Sequence, residues 1–232
     1  MSGGERDLWQ GRVDAEDGAA GERWHQRVVF SPPATEGVAL LGLASDLGVI
    51  RNKGRPGAAT GPAALRAALA NQAWHLPLDL YDAGDVTPRD DLDRAQLAYG
   101  AHMAALLEAG HFVVGLGGGH EIGWASYLGC RQFLDRCAGS DDSGPKSLGI
   151  INFDAHFDLR TPSPDSSSGT PFYQVSRHCA EQGQTFHYAC LGVSRTSNTR
   201  ALFDRANALG VNYLLDVDFD GERVQSLLGN FL

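Results

Sequence analysis

A chain of 232 residues has room for one large domain or two small ones, with ample length for a buried core. Apolar residues make up 43% and charged residues 20%, an ordinary balance for a soluble globular protein, and no apolar run reaches the length of a membrane span. The net charge of −9 and the lack of any Lys/Arg cluster argue against nucleic acid as a partner, while leaving room for a local pocket that takes a small anion.

Residues 1–36 open with "MSGGERDLWQGRVDAEDG", which is polar and acidic and lacks the apolar core of a signal peptide. This stretch, with Trp9 and Trp24, reads as an irregular extension that packs onto a single domain formed by residues 37–232. A strand follows at "VALLGLA" (38–44), then the Gly-rich loop "SDLGVIRNKGRPGAATGP" and a helix that opens at Pro62, where proline suits the first turn. "LYDAGDV" (80–86) reads as a strand, and "DLDRAQLAYGAHMAALLEAG" as a helix closed by Gly110. Next come strand "HFVVGLG", helix "EIGWASYLGCRQFLDRC", polar loop "AGSDDSGPK" and strand "SLGIINF". Beyond the loop "TPSPDSSSGTP" the pattern resumes with a helix near 172–182, strand "FHYACLGV", helix "SNTRALFDRANALG", strand "VNYLLD" and a final helical run.

Strands that are apolar almost throughout, alternating with amphipathic helices, predict an α/β fold: a mostly parallel sheet between two helical layers. Ligands in such folds sit beyond the carboxyl ends of the strands. The four cysteines, Cys130, Cys137, Cys179 and Cys190, form no CxxC pair, which points to reduced thiols and a cytoplasmic setting.

Two loops that follow strands carry chemistry. "INFDAHFDLR" (151–160) sets Asp154, His156 and Asp158 at alternate positions, which share one face of an extended segment. Two carboxylates and an imidazole make a mixed oxygen and nitrogen donor set suited to Mn²⁺. Taken alone, the motif is equally well explained by a turn cap, a loop histidine and an Asp158–Arg160 ion pair. "GLGGGHE" (115–121) adds His120 after three glycines, at the end of a strand where the backbone must pass close to something. It lacks the Lys-Ser/Thr ending of a phosphate-binding P-loop and the spacing of a dinucleotide fingerprint.

Together these motifs resemble the ureohydrolases, the arginase family, which hydrolyse linear C–N bonds of guanidines and amidines with two manganese ions. His120 matches the family's Gly-Gly-x-His, and Asp154, His156 and Asp158 match its Asp-Ala-His-x-Asp. The resemblance implies that Asp154 bridges the two ions and holds a metal-bound hydroxide, with His120 and Asp158 on one ion and His156 on the other. "GGGHE", "RNKGRPGAATGPAALR", "SSGTPF" and "GVSRTSNTRALFDRA" are most similar to the formimidoylglutamase branch, which converts N-formimidoyl-L-glutamate to L-glutamate and formamide in histidine breakdown. A substrate with two carboxylates would then be met by Lys53, Arg55 and Arg160 and by the polar groups of Ser168 and Gly169.

The family's Ser-x-Asp-x-Asp motif has no match. "LLDVDFDGE" (214–222) lacks its serine and following proline, so Asp216 and Asp218 read as an acidic turn that caps the last helix. The resemblance therefore implies a chain without the last strands and helices of the fold, an exposed sheet edge, a poorly held second ion and impaired turnover. The alternatives are an agmatinase or guanidino-acid hydrolase, and a non-catalytic truncated homologue. Relatives are usually oligomers, so a homo-oligomer is also expected.

Overall fold

The computed structural model describes residues 6–33, 36–138 and 146–232. Residues 1–5 and 34–35 of the predicted extension and residues 139–145 of the predicted polar loop lie outside the described residues. In chain order the strands are β1 (Val28–Val29), β2 (Gly37–Leu43), β3 (Asp79–Val86), β4 (Phe112–Gly117), β5 (Gly149–Phe153), β6 (His187–Val193) and β7 (Asn212–Leu215). The helices are α1 (Trp24–Arg27), α2 (Leu47–Arg51), α3 (Gly61–Ala70), α4 (Leu92–Glu108), α5 (Ile122–Ala138), α6 (Pro171–Glu181), α7 (Arg200–Ala208) and α8 (Gly221–Phe231).

Every strand pairing is parallel, as continuous apolar strands joined by helices require. The strands form two hydrogen-bonded sheets, ordered β1-β3-β2-β4 and β5-β6-β7, in place of one continuous sheet. Among the described residues no ladder joins β4 to β5, and both carry exposed apolar side chains: Phe112 is 71% exposed and Phe153 65%. Helix α5 packs against both α4 and α6, and so spans the two halves.

Each sheet is covered from sequence-encoded apolar faces. Leu41 and Leu43 of β2 meet Tyr99 and Met103 of α4 and Ala125 of α5 on one face. Leu40, Leu80 and Leu116 meet Ala70 of α3 on the other, joined there by Trp9 and Val28. The second sheet buries Tyr188, Cys190 and Val193 of β6 against Phe157, Phe172 and Leu202.

The N-terminal stretch has more structure than its composition predicts. A 3₁₀ segment at Ala15–Gly21, helix α1 and strand β1 are all too short to leave a periodic signature. Trp9 is anchored by more than packing. Its indole N–H donates to Asp82 Oδ2 at 2.8 Å, and the same carboxylate receives Arg66 Nε and Nη2, each at 2.8 Å. Arg66 and Asp82 are both fully buried. A bulge in β3 at Gly84, which takes φ +80°, opens the room for this pair, and the Gly84 N–H caps Asp82 Oδ1 at 3.0 Å.

Candidate metal centre

The bend after β4 is built by close backbone contact. Gly118 N–H donates to Leu43 O (3.0 Å) and Gly119 N–H to Ser45 O (2.9 Å), which seats the bend on the loop that follows β2. A Cβ at 118 would lie 2.0 Å from Ser45 O, and one at 119 would lie 1.8 Å from Glu121 Oε2. Only glycine permits that approach. Immediately afterwards the chain turns into α5, and His120 is left projecting from the bend with its ring edge-to-face on Phe172 (5.5 Å, 82°).

The second ligand group sits at the end of β5. Asp154 N–H still pairs with Leu191 O of β6 (3.1 Å), after which the chain leaves the sheet. Phe157 and Leu159 are fully buried and pin the segment from below. Asn198 fastens it further, accepting from Phe157 N–H (3.1 Å) and donating to Ala155 O (2.7 Å). The segment is not a regular extension, because Asp158 takes a left-handed φ of +47°, a conformation aspartate tolerates better than most residues. Even so, Asp154, His156 and Asp158 all line one cavity, as their alternate spacing predicts. Asp154 and Asp158 meet at His120, while His156 lies beside the other oxygen of Asp154.

His120 Nδ1 lies 2.6 Å from Asp158 Oδ2 and 3.1 Å from Asp154 Oδ2. The other Asp154 oxygen, Oδ1, accepts from the His156 N–H (2.9 Å) and lies 3.3 Å from His156 Nδ1. Burial works against charge on the His120 imidazole, but the hydrogen bonds and charges of Asp154 and Asp158 outweigh it and hold its pKa up to about 10. Burial also opposes charge on Asp154, yet the His120 contact and the His156 amide leave its carboxyl below the ordinary value.

One nitrogen and two carboxylate oxygens, from three side chains, lie within 4.8 Å of one another. This donor set is hard to borderline and contains no thiolate, which fits manganese or a similar divalent cation. The positive charge that the two carboxylates now draw from an imidazolium is the charge such a cation would supply.

The centre opens into a cavity of about 440 Å³ lined by His120, Asp154, His156, Asp158, Arg160 and Ser168. Of the residues predicted for substrate, Arg160 and Ser168 line it and Gly169 lies beneath, its carbonyl accepting from Arg160 N–H (2.9 Å). Lys53 and Arg55 do not line it. The short helix α2 ends at Arg51, Lys53 turns left-handed (φ +61°), and both cations face solvent. Val49, Asn52 and Ala58 from the same Gly-rich tract take the wall position instead, with Ser197 and Asn198 opposite. Neutral amides carried no signal in the sequence beyond their closeness to the predicted cations.

Asp216 and Asp218 lie in an exposed 3₁₀ turn after β7. Asp218 pairs with Arg223, and the residue that caps α8 is Asp220, whose Oδ1 accepts from Arg223 N–H (2.8 Å). Among the described residues, His120, Asp154 and Asp158 form the one cluster with metal-ligand geometry.

A parallel α/β fold with an imidazole and two carboxylates converging beyond its strand ends places the chain among α/β proteins with a candidate centre for a divalent cation. The family model of the arginase family matches residues 36–232, and the chain belongs to that family. It is 50% identical over 225 residues to a formimidoylglutamase of Aeromonas salmonicida, covering 95% of this chain and 69% of that protein. It is 49% identical to a formimidoylglutamase of Chromobacterium violaceum, covering 96% and 69%. The fold is similar to that of a Trypanosoma cruzi formiminoglutamase solved with Mn²⁺ (TM-score 0.70, 24% identity, 84% of this chain and 65% of that one). It is also similar to that of formimidoylglutamase from Bacillus subtilis (TM-score 0.69, 22% identity, 88% and 64%). The chain thus spans roughly two thirds of the length of the relatives it matches.

No described helix is long and apolar enough to cross a membrane.

Proposed function

We propose that this chain carries the manganese-dependent hydrolysis of N-formimidoyl-L-glutamate: water cleaves the amidine C–N bond, releasing formamide and L-glutamate, a step of histidine breakdown. The convergence of His120 Nδ1 with Asp154 and Asp158, 3.1 and 2.6 Å away, is the observation that carries the reading. Half identity to proteins named formimidoylglutamase supports the choice of substrate.

His120, Asp154 and Asp158 would hold manganese, and its chemistry there would be to lower the pKa of water so that it can attack at neutral pH. Asp154 turns one oxygen toward His120 and the other toward His156, so each imidazole has a carboxylate oxygen beside it with which it could hold a cation. A second ion would have only Asp154 and His156, whose side chain is 56% exposed, and would be held more weakly than the first. Arg160 offers a guanidinium to a substrate carboxylate, and Ser168 and Asn52 offer hydrogen-bond donors on the same wall. A cationic substrate such as agmatine would meet Arg160 unfavourably, which favours the anionic one. A cytoplasmic setting is part of the same reading.

Purified protein incubated with Mn²⁺ and N-formimidoyl-L-glutamate should release formamide and glutamate in equal amounts, followed by proton NMR. Urea from agmatine or a guanidino acid, formed faster than formamide, would refute the substrate. A protein that retains no manganese after gel filtration would refute the centre.

A further inference from the structure

Glu121 follows His120 and precedes α5, where a side chain that merely opened a helix would face solvent. It is instead 1% exposed and turned back under the bend. Oε1 accepts from Gly48 N–H (2.9 Å) and Ser45 Oγ (3.1 Å), and its backbone carbonyl accepts from Gln96 Nε2 (2.9 Å), itself buried. The carboxylate fills the space above two glycines: a Cβ at Gly48 would lie 2.5 Å from its Cδ, and one at Gly119 1.8 Å from Oε2.

The chain of bonds continues outward. Gly48, at the start of the short helix whose C-terminal neighbour is Asn52, gives its carbonyl to Ser168 N–H (3.0 Å). Arg51 reaches Ser166 O (3.3 Å) in parallel. One buried carboxylate, next in sequence to a proposed metal ligand, therefore holds the β2 loop. That loop in turn holds the loop carrying Ser168, whose neighbour Gly169 accepts from the Arg160 amide (2.9 Å). An apolar side chain would leave Gly48 N–H and Ser45 Oγ buried without this acceptor.

We infer that Glu121 is a positioning residue that fixes the substrate wall of Asn52, Arg160 and Ser168 at a set distance from the His120 bend. Its role is as a hydrogen-bond acceptor between two loops, and it touches neither metal nor substrate. The kinetic consequence rests on the proposed function; the mechanical one does not.

The test compares Glu121→Ala, Glu121→Gln and Ser45→Ala in the full chain by amide hydrogen exchange, Mn²⁺ titration and turnover of N-formimidoyl-L-glutamate. With the acceptor gone, Glu121→Ala should speed exchange about tenfold in segments 46–53 and 164–170 while β6 is unchanged. Its KM should rise about tenfold with kcat and Mn²⁺ affinity within about threefold. Glu121→Gln keeps an acceptor oxygen and should restore both exchange and KM, and Ser45→Ala should loosen the same two segments partially. If Glu121→Ala does not fold, Ser45→Ala and Glu121→Gln decide the matter.

The inference is overturned by unchanged exchange at 164–170, by a glutamine as disruptive as alanine, or by Mn²⁺ affinity that falls in step with substrate affinity. Wild-type protein without turnover would overturn the proposed function alone, and exchange and metal titration would still judge Glu121.

Discussion

Manganese binding should expel a proton, and the proton should come from His120. In the metal-free protein Asp154 and Asp158 hold this imidazole's pKa up to about 10, above the ordinary value of 6.5. The pair of contacts therefore stabilises the metal-free fold fully below the unfolded pKa of 6.5, and this contribution is lost as pH rises through 10. A cation needs the neutral ring, so between pH 7 and 9 each bound ion must displace about one proton and affinity should rise about tenfold per pH unit. The slope should flatten once the pH passes about 10, where the ring is already neutral. Isothermal titration of Mn²⁺ into metal-free protein at pH 8, in buffers of different ionisation enthalpy, measures the released proton directly. Asp158→Asn removes one of the two carboxylates holding that proton, so it should lower both the affinity and the pH at which the slope flattens. Tight Mn²⁺ binding at pH 8 with no proton release would refute the reasoning, because His120 would then be either uncharged beforehand or not a ligand.

Asp82→Asn should destabilise the fold by about 3 kcal/mol, the low end of the range for a broken buried ion pair, because Arg66 keeps Asp85 at 2.7 Å. Urea denaturation checks this, and a loss below about 1 kcal/mol would show that the pair is not desolvated as drawn. Trp9→Phe removes the indole bond to Asp82 and part of the buried ring's packing, and should cost at least about 1–2 kcal/mol in the same assay. Gly118→Ala places a Cβ 2.0 Å from a backbone oxygen of Ser45, so the bend must shift, and Mn²⁺ affinity should fall at least about tenfold while the fold loses about 1–3 kcal/mol. Phe112→Lys with Phe153→Lys, on two of the edge strands, should raise the concentration at which light scattering begins while stability changes by less than about 1 kcal/mol.

The features that were legible in the sequence are those whose cause is local. β2, β4 and β6 announced themselves as apolar runs between Gly-rich turns, and α4, α5 and α6 as apolar repeats, each within a residue or two of the observed ends. His120, Asp154 and Asp158 were legible because metal chemistry restricts residue type and because each group follows a strand. What escaped depends on partners far along the chain. Arg66 looks like a solvent-facing charge in "GPAALRAALA", yet it stands on the same helical face as Pro62 and Ala70 and is fully buried, because Asp82 and Trp9 lie 16 and 73 residues apart from their bonded partners. The separation of β4 from β5 could not be read either, since strand order is set by pairing and not by propensity. Most telling is Asp158. A period of two predicts that alternate residues share a face, and the buried residues Phe157 and Leu159 keep that rhythm. The left-handed turn at Asp158 departs from it locally, and it is this departure, held by the packing on either side, that brings the carboxylate to His120. Sequence periodicity describes regular backbone, whereas this centre is assembled where the backbone stops being regular.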